Sequence, residues 1–287
     1  MESYIGGVST RKVDAQVQAF LARPLESSSY AYVYLDATYL KGRLGKAQQV
    51  CSRAAVVAMG VNEDGRRELL GLKEGDSETE SFWAQFITSL KERGLAGVKL
   101  VISDAHTGLT KAIRRQLQGC VWQRCRVHFA RNLLQCVPKV HQGMVTAALR
   151  SVFAQETAAE IESRWDHLAA SLAERFPKAA ALMHEAKEDV LAFRPFPKDH
   201  WRKIWSTNLL ERVNVAPGGA LGHAVIKRRT RVVGIFPNDA AIIRLVGAVL
   251  LEQHEHWQLE GCRMFSAESM AATPELGDIP ALQALSD

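Results

Sequence analysis

Two stretches decide the fold: YAYVYLDA at 30–37 and VKLVISDA at 98–105. Each is a short run of β-branched, aromatic and aliphatic residues that ends in an aspartate, Asp36 in the first and Asp104 in the second. Such runs, rich in residues that favour extended backbone, read as apolar strands. An acid at the end of a buried strand emerges where a rigid sheet can hold it against a ligand. Taken singly, each aspartate reads more readily as a turn or helix-cap residue than as a ligand.

Working outward, CSRAAVVAMGVNEDG (51–65) supplies a second strand and a turn at 62–65, and RRELLGLKEG (66–75) continues as a third, so three consecutive strands predict an antiparallel meander. Ser77 and Glu80 have capping-box spacing ahead of Phe82, Trp83, Phe86, Ile87 and Leu90, which share one helical face. A further helix is expected over 108–117, giving the order βββαβα. From Gln123 to about Leu191 the signals turn helical, as in MVTAALRSVFAQ (144–155) and EIESRWDHLAASLAERF (160–176). Pro237 and Asn238 then open a nearly all-apolar helix over about 240–251, while the tail after Cys262 lacks periodicity and is expected to be loosely ordered.

Composition narrows the class. The chain has 287 residues, 47% hydrophobic and 23% charged, enough for one sizeable core and a smaller appended unit. No apolar run approaches the roughly 20 residues that span a bilayer, and no signal peptide is recognisable, so a cytoplasmic protein without a membrane partner is expected. Five cysteines, an odd number scattered along the chain, argue against a secreted disulfide framework. A net charge of +5 permits a polyanionic partner without requiring one.

Other residues bear on chemistry. Cys125 and His128 are three apart and share a helical face, but no second pair completes the four ligands of structural zinc, so packing or positioning is the favoured reading. Lys227, Arg228, Arg229 and Arg231 form the densest basic cluster, suited either to a solvated helix face or to phosphate contacts. Glu211 lies in a short helical stretch after Ser206 and Thr207 and could equally be an ordinary surface glutamate.

Seven motifs in order, YLDATYLKGR (34–43), GVNEDGRRELLGL (60–72), DSETESFW (76–83), VISDAHTGL (101–109), WQRCRVHFARNLL (122–134), STNLLERVN (206–214) and RRTRVVGIFPN (228–238), resemble the Mutator-type insertion-sequence transposases of bacteria. A series in the right order is far more specific than any one short pattern. The resemblance implies an α/β ribonuclease H-like mixed sheet flanked by helices, with an all-helical insertion subdomain and a DDE triad of Asp36, Asp104 and Glu211. Three carboxylates suit two Mg2+ or Mn2+ ions, hard cations that prefer oxygen ligands. The implied chemistry is metal-dependent cleavage and strand transfer on double-stranded DNA, both transposon ends and target, by a homo-oligomer associated with the bacterial nucleoid. Lys227, Arg228, Arg229 and Arg231 would touch DNA, and Trp122, Cys125 and His128 would support the triad.

The implied organisation is a remnant of an N-terminal helical DNA-binding region with its linker (1–29), the first part of the catalytic domain (30–122), the helical insertion (123–200), the completion of the catalytic domain (201–262) and a tail (263–287). Two departures from the family stand out. GGVSTRKVD (6–14) runs almost directly into VQAFLARPLE (17–26), as though intervening helices were lost, and 215–225 adds residues rich in Gly and Ala between ERVN and IKRR. These leave a second reading open, an inactive remnant that only binds DNA or intact transposase. A nuclease on the same fold is disfavoured because the motif series is that of transposases.

Overall fold

The computed structural model describes residues 9–44, 49–211, 223–261 and 263–275; the side chains of Glu211 and Lys227 lie outside that set. A six-stranded mixed sheet forms the centre. Strands β1 (Tyr30–Leu44), β2 (Gln49–Asn62) and β3 (Arg67–Gly75) make the expected antiparallel meander, while β4 (Leu100–Ser103) and β5 (Val121–Arg124) run parallel to β1. The order is β3-β2-β1-β4-β5, and a two-residue β6 (Ile235–Phe236) lies parallel to the far end of β1 at Lys41 and Gly42. The β2–β3 turn closes because Asn62 Oδ1 accepts from the amides of Asp64 and Arg66 at 3.1 and 2.9 Å.

Successive residues of β1 point to opposite sides, and both sides are covered. Val33 and Leu35 pack with α2 (Glu80–Glu92) and α3 (Thr107–Gln116). On α2, Trp83, Phe86, Ile87 and Leu90 are buried as their helical spacing predicts, each contributing about 1.5–3 kcal/mol of transfer free energy. The helix is capped by Thr79, whose Oγ1 accepts from Phe82 N–H at 3.2 Å, and not by Ser77. Extended geometry at Thr79 aligns its side chain with the open turn, so the cap sits two residues later than the capping-box spacing indicated.

On the other face, Tyr32, Tyr34 and Ile102 join a core built from α4 (Arg126–Gln135), α5 (Lys139–Val152), α6 (Ala158–Ala173), α7 (Pro177–Val190), α8 (Lys198–Ile204) and the long α11 (Asp239–Glu260). Helix α1 (Thr10–Ala22) lies against α11. After α8 come α9 (Asn208–Glu211), α10 (His223–Val233) and α11 (Asp239–Glu260), entered through Asn238, which accepts from Ala241 N–H at 2.9 Å. Two expectations change here. Gln123 and Arg124 belong to a strand rather than to the helical region, because they complete the ladder with Ile102 and Ser103. Residues 263–275 are packed rather than loose: Met264 and Phe265 are buried, Met264 N–H donates to Gly65 carbonyl at 2.7 Å, and α12 (Ala267–Ala271) follows.

Candidate active site

The parallel ladder sets the site. Tyr34 pairs with Ile102 in the parallel β1–β4 ladder; Asp36 lies two residues further along β1 and Asp104 one residue beyond the end of β4, so both acids follow the same end of the shared ladder. Each aspartate orients its carboxylate in the same way: Oδ1 accepts from the next residue's amide, Ala37 at 3.0 Å and Ala105 at 2.5 Å. Asp36 is buried and Asp104 partly so.

The segment behind Asp104 is braced. Trp122, buried on β5, donates its indole N–H to Ser103 Oγ at 2.8 Å, and Ser103 in turn donates to the Asp104 carbonyl at 2.9 Å. Cys125 follows at the end of β5 and donates its amide to the Ser103 carbonyl at 2.8 Å. Its thiol meets His128. Hydrogen bonding to Cys125 raises the His128 pKa to about 9 against the cost of burial, and the negative charges of Cys125, Asp104 and Asp36 add to the rise. Burial pushes the Cys125 pKa up, but hydrogen bonds and charge from His128, with hydrogen bonding from Thr207, outweigh it and the pKa falls. Cys125 and His128 are thus hydrogen-bonding partners within electrostatic reach of both aspartates.

Arg124, also at this rim, is surrounded by Asp189, Asp104 and Glu185. Glu211 closes α9, the one-turn helix that follows Thr207, and Thr207 is bonded to Cys125 through both its amide and its hydroxyl at 3.4 Å. The backbone of Glu211 therefore returns to the neighbourhood of β5, while its carboxylate lies outside the described residues. Among the described residues, no group of three or more His, Cys, Asp or Glu side chains is arranged to hold a metal ion.

The basic cluster divides. On α10, Ile226 and Thr230 are buried, whereas Arg228 and Arg231 are exposed. Arg229 is 3.5 Å from Glu252 on α11, and the Lys227 side chain lies outside the described residues. Ser103 and Thr207 lie within the acid motifs VISDAHTGL and STNLLERVN, where local pattern assigns them no role; only the folded contacts give each its partner.

Fold and site together define an α/β protein whose central mixed sheet carries one aspartate on β1 and another just past the end of the parallel strand β4, with a buried Cys125 and a partly buried His128 nearby. The chain belongs to the Mutator family of transposases, whose family model matches residues 1–260. It is 41% identical over 261 residues to the transposase for insertion sequence element IS1081 of Mycobacterium tuberculosis, covering 91% of this chain and 60% of that relative. Identity is 36% over 280 residues to the ISRM5 transposase of Rhizobium meliloti, covering 89% of this chain and 67% of that one. It is 33% over 284 residues to the IS256 transposase of Tn4001 from Staphylococcus aureus, covering 90% and 70%. The chain thus spans only 60% of the length of the Mycobacterium relative. Among the described residues, no helix is long and apolar enough to cross a membrane.

Proposed function

We propose that this chain is the DNA-cleaving and strand-joining part of an insertion-sequence transposase, built on a ribonuclease H-like sheet and using Asp36, Asp104 and Glu211 to hold two Mg2+ or Mn2+ ions. The observation that carries the reading is the register of β1 with β4, in which Tyr34 pairs with Ile102 and Asp36 and Asp104 each follow by two residues. Family membership and the strand order β3-β2-β1-β4-β5 support it, and the helices of 126–204 stand as the insertion between the second acid and the third.

The donor chemistry fits the ions: two carboxylates with rigid backbones, a third expected from α9, and positions left for water and phosphate. When bound, such ions neutralise charge on the transferring phosphate and activate the attacking oxygen. The protein's own part is positional. Ala37 and Ala105 amides orient the two aspartates, and Trp122, through Ser103, steadies the backbone of Asp104. Exposed Arg228 and Arg231 hold the phosphates of double-stranded DNA, contacts that place a duplex without reading its bases. The active form is a homo-oligomer working on transposon ends and target in the bacterial nucleoid.

The test is Asp104→Asn in a strand-cleavage assay on DNA carrying an element's ends with Mg2+ or Mn2+. Cleavage should be abolished, with DNA affinity equal or higher because a negative charge near phosphate is gone. Full cleavage by the variant rejects the site. DNA binding by a wild-type chain that cuts nothing with either ion would favour the remnant reading.

A further inference from the structure

The chain leaves the sheet at Arg124 and comes back at 205–207, and the two crossing points are stitched together. Arg126 N–H donates to the Trp205 carbonyl at 3.0 Å, and its guanidinium lies 3.8 Å from the Trp205 ring centre. Beside this contact, the amide and the hydroxyl of Thr207 both donate to Cys125 Sγ, each at 3.4 Å across a sequence separation of 82. Cys125 and Thr207 are both fully buried. Cys125 N–H is bonded to Ser103, the residue before Asp104, and the Thr207 carbonyl accepts from Leu210 N–H at 2.8 Å, closing the turn that ends in Glu211.

One cysteine therefore joins the end of the strand that precedes Asp104, through its amide, to the turn that ends in Glu211, through its thiol. A helix of a single turn has no stability of its own, since nucleation is unfavourable and propagation has no length in which to compensate. Its placement is decided by tertiary anchors. A sulfur that accepts two donors from one residue fixes both the position and the direction of entry of that turn.

We propose that Cys125 is a positioning residue: through Thr207 it fixes the backbone of Glu211 relative to Asp104, and so sets the affinity of the carboxylate site for a divalent cation. This rests on the reading of Asp36, Asp104 and Glu211 as cation ligands. Cys125 and Thr207 touch neither DNA nor ion in this assignment, and act only through the placement of Glu211.

The experiment is calorimetric titration of the intact chain with Mn2+, with thermal unfolding measured in parallel. Wild type should bind, and Asp104→Asn should lose binding. Thr207→Val keeps the shape and removes only the hydroxyl donor; it should weaken Mn2+ affinity by about three- to tenfold, the scale of one hydrogen bond. Thr207→Ser, which retains the donor, should stay within about twofold of wild type, and neither variant should shift the unfolding midpoint by more than a few degrees. Cys125→Ala should weaken binding at least as much as Thr207→Val; if it does not fold, the threonine pair decides alone. Unchanged affinity in Thr207→Val, or equal losses in the Ser and Val variants, overturns the positioning role while the carboxylate site stands. Failure of wild type to bind Mn2+, or undiminished binding by Asp104→Asn, overturns the carboxylate reading and the positioning role with it.

Discussion

His200 holds α8 against β1, and lowering the pH should loosen that hold. The ring is fully buried, with Nδ1 2.6 Å from the Tyr32 hydroxyl, Nε2 2.9 Å from Ser269 Oγ, and the Phe265 ring tilted against it with centroids 3.8 Å apart. Ser269 gives its own proton to the Ser266 carbonyl at 3.0 Å, so it accepts from Nε2–H. Tyr32, whose pKa burial raises, keeps its proton and donates to Nδ1. Protonating Nδ1 would destroy that acceptor. Burial, aided by Lys203 and opposed by Asp199, lowers the His200 pKa from 6.5 to about 4. A folded pKa below the unfolded one means that the unfolded chain binds more protons between the two values. The stabilising contribution is then complete above about pH 6.5 and is lost as pH falls towards 4, at up to roughly 1.4 kcal/mol per pH unit. At pH 5 the loss from this one group is about 2 kcal/mol. Urea unfolding of wild type and His200→Gln at about pH 7 and pH 5 measures it. The variant should be the less stable at neutral pH, and the gap should shrink by about 2 kcal/mol on acidification. His254, also lowered to about 4 by burial and Arg23, titrates in both proteins and cancels. A gap that is the same at both pH values would refute the assignment of a neutral, hydrogen-bonded His200.

In a salt series on duplex DNA, Arg228→Ala with Arg231→Ala should lower the slope of log affinity against log salt by about 0.9 for each phosphate that the variant no longer neutralises. Arg229→Ala should change it less, because Glu252 already engages that guanidinium; an unaltered slope in the double variant removes both residues from the DNA surface. Gly65 has φ +76°, and a Cβ there would strike the Phe265 carbonyl. Gly65→Ala should therefore destabilise by about 2 kcal/mol or more and expose 263–275 to limited proteolysis. Protection equal to wild type would show that this segment is held by other contacts.

Local pattern determined a good deal. The apolar runs ending in Asp36 and Asp104, the turn at 62–65 and the apolar face of α2 each follow from side-chain spacing and backbone preference over a few residues, so the order βββαβα is legible. The motif series is equally local, and it carried the family. Other features depend on which distant segments meet. That Asp36 and Asp104 both follow the paired Tyr34 and Ile102 by two residues is a matter of register between strands far apart in sequence, and a slip of one residue would break that correspondence. Val121–Arg124 has no strand periodicity of its own; β4 on one side and the Gln123 bond to the Val190 carbonyl at 2.8 Å make it one. The packing of 263–275 depends on Gly65 and His200, and the division of the basic cluster depends on Glu252 lying opposite Arg229. Thr207 looks like an ordinary helix-entry residue until the fold brings Cys125 to it. Pairings of this kind are decided when the core closes, because the free energy that selects them comes from burying many side chains at once and is written in no single stretch of the chain.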